Sequence, residues 1–585
     1  MNYLWNFKPL PPQATVIQLQ QELNISEPLA ILLAQRGITT FQQAKDFFRP
    51  TLSQLHNPFL MKGMKEAVER LDQALKNNET ILIYGDYDVD GTSAVSLMER
   101  YLSTFTDKLF TYVPNRYTEG YGISFQGSDY AEAQACTLII ALDCGIKAID
   151  KVQYAKEKGI DCIIADHHRP SDQVPDAIAV LDPQQADCPY PYKELCGCGL
   201  GFKLAQAYHE YLQRPFSELI PLLDLVAVAT AADIVPMNGE NRCLTYFGLE
   251  VLNNNPSAGV KALFGEHQGK ITITDVVFKA APRVNAAGRI EHGKYAVALL
   301  TETDEEQAVL KAKEIDALNT HRKELDSSIA TEALNQIEAN GEQEHYTSVV
   351  FNEEWHKGVI GIVASRLIEH YYRPTVVFTK SGNKYAASAR SVQGFDIYEA
   401  LEQCSEYLEQ FGGHKYAAGL TLLPEQYPLF KNAFEEVVKQ TIDSSLRIPK
   451  LFIDTALPLS KLTQKLYNVL KQFEPFGPLN LPPLFYAENV IDTGFAKRIG
   501  KDEEHLKLTL KEVGTTSYYD AVGFGLAHKL PIVTSGRPFS VVYSIEENQW
   551  NGRVSLQLQI RDYWNSILIT SFLFVSLPIS KPLTL

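Results

Sequence analysis

Five absences narrow the reading of this 585-residue chain before any motif is considered. It has no run of about 20 apolar residues, the length that spans a bilayer. The nearest stretch, Ile567–Val575 in an apolar tail, is far shorter, so no membrane association is expected. G-x-x-x-x-G-K-[ST] is missing, which argues against a bound nucleotide cofactor. The eight cysteines contain no C-x-x-C pair and several sit in apolar runs, as expected of reduced, buried thiols in a cytoplasmic protein. Met1 to Pro12 carries aromatics and prolines but no apolar core of signal-peptide length. Cys196-Gly-Cys198 lacks a second pair and reads as small residues packing near a turn. An excess of positive charge is also lacking: the net charge is −16. That excludes a uniformly cationic surface but not a local nucleic-acid groove.

What is present is ordinary for a globular protein, with 45% hydrophobic and 21% charged residues. The length suggests roughly three or four domains. The stretch that organises the rest is Ile81-Leu82-Ile83-Tyr84-Gly85-Asp86-Tyr87-Asp88-Val89-Asp90-Gly91. A buried strand runs into alternating aspartates. With the backbone extended throughout, Asp86, Asp88 and Asp90 would project to one side. Carboxylates so close take up protons or need a cation between them, and hard oxygen donors suit Mg²⁺ or Mn²⁺. An acidic turn is the plainer alternative, since Asp and Gly both favour turns.

Downstream, strand and helix patterns alternate, which predicts a parallel sheet with crossover helices. Predicted strands end in Asp143-Cys144-Gly145, in Asp166-His167-His168 and in Asp182-Pro183. One such ending is a common helix cap. A succession of them points to a site beyond the carboxyl ends of the strands. Asp233, in an apolar stretch, is a helix-end cap or a further ligand. Arg283 and Arg289, among small residues in Ala281–Ile290, suit a phosphate, with pairing to a structural carboxylate as the alternative. Glu302 to Asn340 reads as a long helical connector, a solvated spacer. A second α/β lobe follows. In it Ser388 and Arg390 share a strand face, and Phe411–Gly419 forms a glycine-rich turn with His414 and Lys415, a candidate phosphate cradle. Short strands from about 450 to 563 fit a small β-barrel of the oligonucleotide-binding kind. There Lys497, Arg498, Lys501, Lys507 and Lys511, with Phe495, Tyr518 and Tyr519, offer charge and stacking surfaces.

Taken together, Asp86–Gly91, Asp143, Asp166-His167-His168 and Asp233 resemble the successive motifs of the DHH phosphoesterase superfamily. The Gly-Gly-His stretch resembles its DHH-associated second domain. The resemblance implies an α/β fold with a two-lobed core: a parallel-sheet DHH domain and a smaller DHH-associated domain joined by a long helix. A C-terminal OB-like barrel completes it. The expected domains are a helical lead-in (1–50), the DHH domain (51–245), a connector with the long helix (246–340), the DHH-associated domain (341–445), the barrel (446–563) and the tail (564–585).

With the barrel and Pro114-Asn115-Arg116, the resemblance is to single-strand-specific 5′→3′ DNA exonucleases of recombination and repair. It implies two divalent ions, Mn²⁺ or Mg²⁺, held by Asp88, Asp90, Asp143, His167 and Asp233, with Asp86 and His168 at or beside them as catalytic groups. It places Arg116, Arg283, Ser388 and Arg390 around a 5′-terminal phosphate, His414 near the scissile phosphate, and Arg289 and Lys415 on the DNA. The implied partner is single-stranded DNA with a 5′ end, acted on by a monomer alongside single-strand-binding protein and a helicase. Two other readings compete: a phosphoesterase for small substrates, which has no use for a barrel, and a non-catalytic DNA-binding scaffold, which would have lost metal ligands.

Overall fold

The computed structural model describes residues 3–550 and 553–565; the tail from 566 onward lies outside them. The chain forms two units: residues 51–448 with 477–479, and residues 1–50 with 449–476 and 480–585.

The first unit is built on a five-stranded, all-parallel sheet. Its order is Leu109–Tyr112, Thr80–Gly85, Cys136–Leu142, Asp161–Ala165 and Ala179–Leu181. Aliphatic runs such as Ile81-Leu82-Ile83-Tyr84 are buried throughout, as a sheet covered on both faces requires. Register is what matters for the site. Gly85 pairs with Leu142, Leu142 with Ala165, and Ala165 with Leu181. The next residues, Asp86, Asp143, Asp166 and Asp182, therefore emerge at one level of the sheet's carboxyl end.

Contrary to the extended reading, the strand does not continue through the acidic run. It stops at Gly85, and a helix begins at Val89 and runs to Leu102. Asp88 caps it by accepting the Gly91 N–H at 3.0 Å, satisfying a donor that the first turn leaves free. Gly91 packs so closely that a Cβ there would lie 2.5 Å from the Asp86 carbonyl oxygen.

The connector helix spans Glu305–Ala339 and is not the solvated spacer expected. Ala308, Ala312 and Ile315 join the core of the parallel-sheet lobe, whereas Ile329, Ala330, Ala333 and Ile337 pack with Ile360, Val363 and Val377 of the second lobe. Between them the same buried face carries Asn319, Arg322 and Asp326. The second lobe is a mixed sheet ordered Gln410–His414, Ala417–Leu422, Lys384–Arg390, Thr375–Ser381 and Ser348–Phe351. Gly-Gly-His lies in a strand rather than in a turn; the turn of that hairpin is Lys415-Tyr416.

In the other unit, helices Gln13–Leu23, Glu27–Gln35 and Phe41–Phe48 share a core with the C-terminal strands. Five strands, Phe485–Asp492, Phe539–Trp550, Arg553–Asn565, Tyr518–Gly523 and His505–Glu512, pair in a closed ring. Phe495 and Tyr518 are exposed. Tyr519 turns its hydroxyl inward onto the Leu462 carbonyl, so it is no free stacking surface.

Candidate metal centre and end-binding pocket

The aspartates that end the parallel strands converge with the histidine pair. His167 Nε2 lies 3.2 Å from Asp143 Oδ1, 3.6 Å from Asp233 Oδ2 and 3.9 Å from Asp90 Oδ2. Two overlapping donor groups result, Asp143–His167–His168 and Asp90–His167–Asp233, each with its ligand atoms within 4.8 Å of one another. Asp86 and Asp88 fall outside both groups but act electrostatically on them.

Asp90 is gripped through its side chain, whereas Asp143 and His167 are positioned through their backbone. The Gly197 and Cys198 N–H groups donate to the Asp90 carboxylate at 2.6 and 2.8 Å. They belong to the first turn of the helix Gly197–Tyr211, whose N-terminal dipole favours an anion. Cys-Gly-Cys therefore supports the site through its backbone rather than its thiols. A Cβ at Gly197 would lie 2.4 Å from Asp143 Cβ. Asp143 takes a left-handed backbone with φ of 59°, and its carbonyl accepts the Tyr121 hydroxyl at 3.1 Å. Asp166 belongs to neither donor group. It accepts the Ile146 N–H at 2.8 Å and pairs with His168 Nδ1 at 2.8 Å. Gln184 donates to the His167 carbonyl at 3.0 Å, and Asp182 accepts the Gln184 N–H at 2.7 Å.

Burial and mutual repulsion set the ionisation. Burial, and then Asp88, push the Asp86 carboxyl well above its ordinary value. Burial and Asp90 do the same to Asp143, and burial raises Asp90. Asp233 is pushed up to about 9 by burial, Asp90 and Asp88. His167 is lowered by burial. His168 is only half-buried, and Asp166 outweighs the cost of that burial and raises it. Asp86 Oδ1, Asp143 Oδ1, Asp233 Oδ2 and His167 Nε2 are buried without a hydrogen-bond partner. Polar atoms in that state are costly unless something unites them. Oxygen donors with an imidazole fit Mn²⁺ or Mg²⁺.

A second cluster carries the opposite charge. Arg289 is held down to about 10 by burial and by Arg116 and Arg390, with Asp88 opposing. Its guanidinium donates to the Gly358 carbonyl at 3.2 Å. That of Arg116 lies 4.1 Å from the centre of the Tyr87 ring, a cation–π contact. Arg390, also lowered by burial, donates to Ser388 Oγ at 3.0 Å.

One expected phosphate contact lies elsewhere. Arg283 is not drawn into this cluster: its Nε is 2.8 Å from Asp316 and it also donates to the Leu263 carbonyl, the carboxylate pairing left open by the sequence. His414 and Lys415 are exposed at the hairpin tip. His414 sits in one row of the sheet with Ala417 and Arg390.

Sequence reasoning missed Gly197, Tyr121 and Gln184. Only the small residue between two cysteines carried a signal, and it pointed to packing.

Strand-end carboxylates, an Asp-His-His turn and an arginine cluster drawn from both lobes define a DHH-type phosphoesterase. Residues 80–230 match the DHH family N-terminal domain, 343–440 the DHHA1 domain and 453–562 the RecJ OB domain. Over 557 residues the chain is 37% identical to the Bacillus subtilis (strain 168) protein named single-stranded-DNA-specific exonuclease RecJ, covering 94% of this chain and 70% of that one. It is 33% identical to the protein of that name from Escherichia coli (strain K12), covering 91% and 95%. The crystal structure of RecJ in complex with Mn²⁺ from Thermus thermophilus matches with a TM-score of 0.81 at 28% identity, over 96% of this chain and 79% of that chain. The same protein is also known in complex with Mg²⁺. The chain belongs to the RecJ family.

Proposed function

We propose that this protein is a metal-dependent exonuclease that degrades single-stranded DNA from its 5′ end by phosphodiester hydrolysis. The observation that carries the reading is the pairing, in one unit, of an anionic donor cluster with a half-buried cluster of arginines. The first suits cations and the second suits a phosphate. Asp88, Asp90, Asp143, His167 and Asp233 would hold two divalent ions. Such ions supply Lewis-acid polarisation, an activated water and charge neutralisation of the leaving oxygen.

The chain's own residues orient the substrate. Arg116, Arg289, Ser388 and Arg390 receive the terminal phosphate, which fixes how far the next phosphodiester reaches toward the carboxylates. His168, paired through Nδ1 with Asp166, which raises its pKa, serves as the proton-carrying group beside that phosphodiester. Asp86 stays buried behind the ligands. His414 and Lys415 approach DNA from the hairpin tip. In the other unit, Lys497 and Lys507 face each other across paired strands beside exposed Phe495. Like charges so placed repel, and a bound single strand with stacked bases relieves them.

Eight free, buried cysteines and no helix long and apolar enough to cross a membrane among the described residues support a cytoplasmic enzyme. It works as a monomer alongside single-strand-binding protein and a helicase. The six domains expected from sequence serve as its working division. Digestion of strands labelled at either end tests the reading: with Mn²⁺, the 5′ label is released first and duplex is spared. Release from the 3′ end, or no release at all, would overturn it.

A further inference from the structure

The connector helix carries a charged group that the metal centre does not use. Asp326 lies on its buried face with no exposed surface. Neither carboxylate oxygen has a hydrogen-bond partner among the described residues. The nearest charges are guanidiniums: Arg366 at 2.9 Å and Arg322 at 3.6 Å. Arg322 is tethered to its own helix by donating to Asn319 Oδ1 at 2.8 Å. It acts on Arg289 together with Arg116 and Arg390; burial raises the Asp326 carboxyl, and Arg366, Arg322 and Arg289 oppose that and favour its charged form.

The arrangement is a poor structural ion pair. A buried carboxylate kept for stability is normally met by well-aligned hydrogen bonds that offset its desolvation. Here it has cations near it but no aligned donors. Its effect is therefore on the field around Arg289. Fields in buried regions are weakly screened, so one negative charge there changes what the arginine cluster attracts.

The ligands that compete for this cluster differ in charge. A terminal phosphate monoester carries about −1.5 to −2 at neutral pH, whereas an internal phosphodiester carries a single charge. An uncompensated set of arginines would hold both. With part of the positive field cancelled, the singly charged group is held too weakly to stay.

We propose that Asp326 sets the end specificity of this nuclease, cancelling part of the positive charge beside Arg289 so that a doubly charged 5′ phosphate is retained and an internal phosphodiester is not. The proposal rests on the end-binding pocket proposed above. Asp326 is a positioning and specificity residue and is not expected to touch the DNA.

The test is the ratio of kcat/KM for 5′-phosphorylated over 5′-hydroxyl single strands, measured with Mn²⁺ on the full chain. Asp326→Asn should lower the ratio at least fivefold, chiefly by lowering KM for the hydroxyl end, with kcat on the phosphorylated end little changed. Asp326→Glu should restore it. Arg322→Gln, which removes a cation, should move the ratio the other way; it serves as the deciding variant if thermal unfolding shows that Asp326→Asn does not fold. Arg390→Ala separates the two ideas. A ratio that collapses in Arg390→Ala but is unchanged in Asp326→Asn overturns the role of Asp326 and keeps the pocket. An equal shift in Asp326→Asn and Arg322→Gln also overturns it. A ratio untouched by Arg390→Ala removes the pocket itself, and this proposal with it.

Discussion

The metal centre and the arginine pocket belong to one unit and carry opposite surpluses of charge. In the first, Asp86, Asp90, Asp143 and Asp233 are all shifted toward the protonated form. In the second, Arg289 and Arg390 are shifted toward the neutral form. Burial is the leading cause in both, and like-charged neighbours add to it at most of these groups. Each cluster is a local surplus of one charge and suits a ligand of opposite sign. They differ in how they are built. The acidic donors sit at the ends of parallel strands, at one helix start (Asp90, gripped by two backbone N–H groups) and at one helix end (Asp233). The arginines come from a loop, a helix and a strand of two lobes.

The sharpest break in this contrast is Asp143→Ala. Removing a central donor should lower cleavage by about a thousandfold, equivalent to ~4 kcal/mol of barrier, while binding of a single strand changes less than about threefold. Parallel loss of binding, by fluorescence anisotropy, would assign Asp143 a folding role.

Gly197→Ala tests the support behind the donors. The added Cβ meets Asp143, and a displacement of about 1 Å can cost about a hundredfold. Activity should fall by that order, with weaker Mn²⁺ binding by calorimetry. Unchanged kinetics would show that the helix start can give way.

Metal removal sharpens the contrast further. In chelated protein, carboxyls whose folded pKa lies above the unfolded value of about 4 stabilise the fold at low pH. That stability is lost as the pH rises toward about 9, the value for Asp233. The melting temperature in EDTA should therefore fall between pH 6 and pH 9, and rescue by Mn²⁺ should grow. A rise with pH would mean that the carboxylates do not repel one another.

The smallest effect belongs to Cys198→Ala. Only its backbone N–H holds Asp90, so activity should stay within about twofold. A large loss would bring the thiol into the chemistry.

Much of the catalytic lobe was readable because its cues are local. Aliphatic runs ending in Asp143, Asp166 and Asp182 marked strands whose ends could be named in advance. The extended reading of Asp86 to Asp90 failed because a helix cap competed with strand continuation at Asp88, and the cap satisfies a backbone donor. The connector was misread for a different reason. Alanines and charges alternate along it, and nothing local shows that Arg322 and Asp326 face inward. Arg283 and Arg289 look equivalent in sequence, yet one meets Asp316 and the other pairs with no carboxylate among the described residues.

The sequence by itself determined which residue types end each strand, and with them the family and the chemistry they can support. Tertiary structure alone decided the level at which those ends align, the N–H groups that grip Asp90 from 107 residues away, and the side of the connector that is buried. The reason is physical. Hydrophobic period and turn chemistry act over a few residues, whereas charge balance in a buried site depends on every group that packing brings within reach.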